Sequence, residues 1–327
     1  EEVANFNIAR GKTSATLTAN VVANRWPLLA PLAERAGANV KLEGRTDLAN
    51  LKQAPAALKL TAPAGVIDLA TSIDFESWTL GQPLRLSTTG LDLASVAPPM
   101  AGKVDASGDL QFIGLGDFTW KGNVTATRIA WPSGGAARIA TPITITKDGS
   151  SISWDAPNAV IDSGRVDALR SLRPARYAGA TRGEVNLRTQ IVEIYQGTLR
   201  GTPGDISARG TYAIRDGRIN LRGTARFARL ADVAPLTGSA RSEWTVTQTS
   251  MAAPIRITAD AQGRNVASSI AALAQLAGSE PRVKMSAVVR GGRFVIESGA
   301  ITGAGVRATM TGRVADNGAI SARAQGA

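Results

Sequence analysis

Along most of the chain, apolar and polar residues alternate one for one, the period of a β-strand with one dry face and one wet face. The pattern is clearest from Ile206 to Phe227. Ile206, Ala208, Gly210, Tyr212 and Ile214 fall on one face, with Ser207, Arg209, Thr211 and Arg215 on the other. Asp216-Gly217 then predicts a two-residue hairpin turn, in which both central positions take positive φ. Ile219, Leu221, Gly223, Ala225 and Phe227 return on the apolar face. The C-terminal end repeats the plan. Val306, Ala308, Met310, Gly312 and Val314 alternate with Arg307, Thr309, Thr311 and Arg313, Asp316-Asn317-Gly318 turns the chain, and Ile320, Ala322 and Ala324 come back. Val283, Met285, Ala287 and Val289 form a further row, which Gly291-Gly292 turns into Phe294 and Ile296. Upstream, Ala15 to Val21, Ile67 to Phe75, Val104 to Phe112 and Phe118 to Ala126 alternate in the same way, and Lys147-Asp148-Gly149 marks another turn. Regularly spaced strands of this kind predict an antiparallel meander.

A short motif recurs on these strands: apolar, polar, Gly, polar, apolar. It is centred on Gly108, Gly122, Gly210, Gly223 and Gly312, and its first four places recur around Gly44. Each glycine falls in the apolar row, where the missing side chain lets a sheet bend or lets something approach closely. Any one of these glycines could simply relieve crowding in a packed core, but the series as a whole favours a curved trough with space along its inner wall. Helical signals are few. Trp26 to Ala36 predicts a short helix, and Asn265 is placed to cap a second one through Val266, Ile270, Leu273, Ala274 and Ala277, ended by Gly278 and Pro281. Leu93-Ala94-Ser95-Val96-Ala97-Pro98 and Leu230-Ala231-Asp232-Val233-Ala234-Pro235 nearly match, and Gly102 and Gly238 follow them. They are two copies of one internal repeat, a short helix between strand arrays. With no linker in view, the expectation is one continuous elongated body over residues 1–327, in repeat units of about 1–90, 91–227 and 228–327.

A long sheet has to shield its apolar face. Hairpin turns argue against a parallel β-helix, and so many strands exceed a simple sandwich. A membrane barrel would carry aromatic girdles, whereas only 5% of these residues are aromatic. The inward glycines favour a curved trough, with a core of side chains packed on one another as the alternative. The 327 residues include no cysteine and no histidine, which excludes disulfides, thiol chemistry and the commonest general base. Net charge is +11, from 37 basic and 26 acidic residues spread along the chain, and it favours anionic partners. No run of apolar residues is long enough for a membrane helix. The opening Glu1-Glu2 without Met suggests a segment of a longer protein.

The strand rows, the Asp-Gly turns, the glycine motif, the run Gly299 to Val314 and the stretch Leu273 to Val283 together resemble the AsmA-like proteins of Gram-negative bacteria. The TamB subunit of the translocation and assembly module belongs to that group. The resemblance covers most of the chain and is strongest from about Ala178 onward. It implies a mostly β fold, a long curved antiparallel meander shaped into a taco-like groove with a hydrophobic interior and a few short helices. It also implies an inner-membrane anchor outside this segment, a periplasmic body, and movement of phospholipid between inner and outer membranes. Docking to an outer-membrane barrel would use regions beyond this segment. The residues expected to line the groove are Tyr212, Ile214, Ile219, Leu221, Phe227, Met285, Val289, Val306, Met310 and Val314. Their partners would be phospholipid acyl chains, with no cofactor, no metal and no catalysis.

Other motifs are set aside. Gly11-Lys12-Thr13 resembles the end of a phosphate-binding loop, but Phe6 stands where that loop needs its first glycine. Gly303-x-Gly305 lacks the third glycine of a dinucleotide site. Asp155 and Asp162 could pair as in a glycosidase, yet read more simply as solvated acids. The arginine-rich strands lack interleaved aromatic residues for stacking bases, which argues against nucleic acid. Two readings from other classes stay beside the conduit: a purely structural, adhesin-type β-module, and a carbohydrate-active β-helix enzyme. The latter calls for a cluster of carboxylates on one face, which the sequence does not offer.

Overall fold

A computed structural model of the chain describes residues 3–8, 14–22, 39–96, 99–114, 116–131, 134–166, 175–202, 204–232, 236–268, 278–290, 293–303, 306–314 and 320–326. The chain divides into two compact units, Glu1–Gly149 and Ser150–Ala327. Unit 1 holds β1 (Val3–Ile8), β2 (Ser14–Val22), β3 (Asn39–Asp47), β4 (Ala54–Ala62), β5 (Gly65–Asp74), β6 (Thr79–Leu80), β7 (Leu84–Asp92), β8 (Ala101–Gly114), β9 (Asp117–Trp131) and β10 (Gly134–Asp148). Unit 2 holds β11 (Ser151–Val166), β12 (Ala175–Asn186), β13 (Ile191–Gly201), β14 (Gly204–Ala213), β15 (Arg218–Phe227), β16 (Leu236–Gln248), β17 (Ile255–Ser268), β18 (Arg282–Arg290), β19 (Arg293–Gly303), β20 (Val306–Val314) and β21 (Ile320–Gly326).

Within each unit every ladder is antiparallel and joins strands that follow one another, except that β5 pairs with both the short β6 and β7. The protein is mostly β, built from antiparallel meanders as the alternation predicts. Among the described residues the main contacts between elements are those of ladder neighbours. Each meander is therefore built from hairpin-connected neighbours where it is described. On the polar face, hydroxyls bridge neighbouring strands: Ser207 with Thr224 at 2.9 Å and Thr245 with Thr258 at 2.7 Å. Such cross-strand pairs hold the register.

Glycines of the recurring motif sit on the apolar face as expected, but several are not empty volume. Gly223 lies opposite Trp244 and Gly183 opposite Trp154, and a Cβ at Gly223 would stand 2.5 Å from Cζ2 of the Trp244 ring. Trp120 lies in the same way over Gly122, two residues along its own strand. Each glycine is a socket for an indole. Trp120 is only 6% exposed. A ring lying bare on a flat sheet would keep one face in water, so other side chains cover this one.

The internal repeat is visible in the structure. Helix α1 (Leu93–Val96) and a 3-10 turn at Leu230–Asp232 occupy equivalent places. The glycines after them, Gly102 (φ 129°) and Gly238 (φ 93°), both adopt left-handed backbone. Each faces a bulge on the next strand whose extra residue is also left-handed, Arg128 in one copy and Asn265 in the other, both with φ 52°. Asn265 therefore does not cap a helix. It lies in β17, which runs on to Ser268, and the rest of that expected helix and the one expected at 26–36 lie outside the described residues. The turn at Asp216-Gly217 also differs from expectation. Only Gly217 has positive φ, at 67°, and its amide bonds the Ala213 carbonyl at 2.8 Å across a four-residue loop, Ile214 to Gly217.

Candidate hydrophobic groove

In unit 1 a hollow of about 510 Å³ opens on the apolar face of β2 to β7. Strand register explains its wall. Gly44 pairs with Leu58 and Leu58 with Leu69, while Thr46 pairs with Ala56 and Ala56 with Thr71, so all of these side chains point the same way. Toward one margin Leu48, Ile73, Phe75, Leu80 and Leu84 complete the wall. The Thr71 hydroxyl is satisfied by the Gly81 carbonyl at 2.8 Å. The Thr46 hydroxyl is buried, borders the hollow and has no hydrogen-bond partner among the described residues. An unpaired buried hydroxyl costs about 1–3 kcal/mol. Thr46→Val, close in shape, is therefore expected to raise the stability of the ligand-free protein by about 1 kcal/mol, read as a higher urea midpoint at unchanged slope.

In unit 2 the residues expected to line a groove do share a face wherever they lie in strands. Tyr212 pairs with Ile219, and Leu221 joins Met285 through Val246, Ile257 and Ala287. Met285 continues through Gly299 to Met310, Val289 pairs with Phe294, and Phe294 pairs with Val314. Phe227 and Val306 hold matching positions on β15 and β20. Ile214 is the exception, lying in the turn after β14 with its side chain exposed. These residues do not enclose the hollow of unit 2 that lies on the apolar face. That hollow, about 270 Å³, sits further upstream on β11 to β14, between Ala159, Ile161, Gly179, Leu199 and Ile206.

A larger concavity of about 1120 Å³ also belongs to unit 2 and spans strands from β13 to β20. On β14 to β19 its wall is a run of three consecutive residues, such as Ser207-Ala208-Arg209 and Arg222-Gly223-Thr224. The outer two of each run project from the polar face. Apolar-face residues two places away, such as Ile206 and Leu221, take no part. The concavity therefore lies over the polar face, and the Met285 position reaches it from behind. Its charges are mixed. Arg209 and Arg222 stand directly opposite each other, as do Glu243 and Asp260. Asp260 is held by Arg282 through two bonds, at 2.7 and 3.0 Å, and that pairing keeps its carboxyl below the usual aspartate range.

Charged side chains elsewhere serve turns and strand faces. The Asp117 carboxyl is held below its ordinary value by the Lys147 ammonium, then by the Gly149 amide. Asp74 is lowered by the Ser77 hydroxyl and by the amides of Ser77 and Glu76, which fold the turn after β5 around it. Asp162 pairs with Arg176 at 3.4 Å. Among the described residues no group of three or more acidic, histidine or cysteine side chains could hold a metal ion.

No protein-family model, curated protein or solved structure gives a significant match to the chain. The functional reading therefore rests on its own residues. Alternation puts Ile67, Leu69, Ile73 and Phe75 on one face but does not reveal a hollow there. The signal was blurred by Pro55 and Ala57, which put small apolar residues on both faces of β4.

Proposed function

We propose that this chain is a non-catalytic segment of a lipid conduit, a β-groove that holds phospholipid acyl chains in transit between inner and outer membranes. In this reading it belongs to a periplasmic, AsmA-like protein anchored to the inner membrane by a segment outside the one described here. The observation that carries the reading is the unit 1 hollow, walled mainly by alanine, leucine, isoleucine and phenylalanine from the apolar face of β2 to β7. A hydrocarbon tail entering it gains about 0.8 kcal/mol for each methylene removed from water. Its volume falls within the roughly 300–1,000 Å³ typical of small-molecule clefts. A lining of similar small and branched residues offers no strongly preferred stopping point, which suits movement better than storage.

The test is a photo-reactive benzoylphenylalanine at Leu58, irradiated in the purified full chain and read by mass spectrometry. Phospholipid adducts at Leu58, with none at Lys59 on the opposite face of the same strand, support the conduit. The competing structural reading has its own support in the indoles that fill sockets at Gly122, Gly183 and Gly223. A β-module whose apolar face is covered by its own side chains would give no lipid adduct at either position.

A further inference from the structure

Successive connections of a meander alternate between its two margins. In unit 1 the turns joining β3 to β4, β5 to β7 and β8 to β9 therefore share one margin, and large apolar side chains stand in water along it. Trp78 is 80% exposed, Ile113 65%, Leu51 and Leu80 49% each. Phe112 is exposed beside them, and on the rest of unit 1 the only other exposed large apolar residue among those described is Met100.

This margin is built, not frayed. The Phe75 amide bonds the Leu51 carbonyl at 2.8 Å, tying the first turn to the second. The Phe112 amide bonds the Gln82 side-chain oxygen at 3.2 Å, tying the second toward the third. Asp47 and Asp74 each accept backbone amides of their own turns, and the Phe75 and Trp78 rings meet edge to face at 5.8 Å. Lys52 is neutralised by Glu76 at 3.3 Å.

The same margin opens onto the hollow. Phe75 and Leu80 line the hollow, and Leu80 is also half in water outside it. Trp78 thus meets Phe75, which lines the hollow together with Leu80, Ile73 and Leu84.

We propose that this margin is the loading edge of the groove. It rests in the interfacial layer of a bilayer, and a lipid tail passes sideways over Leu80 and Phe75 into the unit 1 hollow. The inference rests on the lipid-conduit reading and adds where lipid enters. Tryptophan with leucine, isoleucine and phenylalanine on held turns is the chemistry that settles at a membrane interface. The bilayer also supplies an occupant slim and apolar enough to follow the path without stranding a polar group. The turn carboxylates are committed to backbone amides and Lys52 to Glu76, so a zwitterionic surface suffices.

The experiment uses the full chain carrying the crosslinker at Leu58 and phosphatidylcholine offered either in vesicles or in detergent micelles. Brominated phosphatidylcholine vesicles are expected to quench tryptophan fluorescence, and Trp78→Phe is expected to remove most of that quenching. In Trp78→Asp/Ile113→Asp, adducts from vesicles are expected to form at least about tenfold more slowly, because two large side chains no longer leave water at the interface. Micelle-delivered lipid should still crosslink at the wild-type yield. The milder Trp78→Gln, with a smaller slowing in the same direction, covers the case in which the double variant loses its fold and both routes fail. Unchanged vesicle kinetics in folded variants, or quenching that persists in Trp78→Phe, overturns the loading edge alone. Self-association lost in the variants without any vesicle quenching in the wild type also overturns it, in favour of a protein contact. Absence of adducts by both routes in the wild type overturns the conduit itself.

Discussion

Replacing Gly223 with valine is expected to lower the stability of the protein by about 3 kcal/mol, at the upper end of what overpacking costs. The new Cβ would collide with the Ser207 carbonyl oxygen on β14 and press into the Trp244 ring from β16. The carbonyl is backbone and cannot step aside without breaking the β14–β15 ladder. The indole can turn, at the cost of the contacts it makes on the apolar face. Trp244→Ala in the same chain should therefore recover part of the loss but not all of it, giving a non-zero coupling in a double-mutant cycle. The measurement is a pair of urea titrations followed by circular dichroism. A cost below about 0.5 kcal/mol, the usual scale of a surface change, would show that Gly223 is not a socket.

Leu58→Asp is expected to empty the unit 1 hollow of lipid while leaving the fold in place. Leu58 sits between Gly44 and Leu69 on the apolar face, and Lys59 is its neighbour on the opposite face. A carboxylate in that wall keeps its water, and a hydrocarbon chain must then stay clear of it. Losing contact with two or three methylenes removes about 2 kcal/mol, or roughly a thirtyfold drop in retained lipid. Lys59→Asp changes charge on the same strand by more and is expected to change lipid content little. Phospholipid extracted from equal amounts of purified protein gives the comparison. Equal lipid in Leu58→Asp and wild type would count against the hollow as a lipid site.

Much of this architecture is legible in the chain because an antiparallel meander writes its two faces directly into alternate residues. Alternation alone assigns Ile219, Leu221, Gly223, Ala225 and Phe227 to one face, and their register bears that out. Gly102 and Gly238 could be matched to each other from the repeat. What alternation does not carry is the third dimension of the sheet. Whether a glycine leaves a gap or seats a ring depends on what the partner strand puts opposite it, and Trp154 lies on a different strand from Gly183, far from it in the chain. Bulges hide for a similar reason. Arg128, Ser163 and Asn265 take left-handed backbone although none is a glycine, and only the glycine facing two of them hints at it. The hollow of unit 1 is not legible in the chain because curvature is a property of neighbouring strands together, whereas alternation marks out single strands.

The nearest-neighbour wiring of these meanders has a consequence for how such a chain can change over time. Among the described residues each ladder joins strands that follow one another, apart from β5 with β7, so a lesion is expected to weaken its own hairpin and its neighbours more than distant ones. Duplication or loss of one hairpin would extend or shorten the array while preserving every other junction. Length itself becomes an adjustable trait, and the near-identical segments leading to Gly102 and Gly238 are the sort of trace that growth by copying leaves behind.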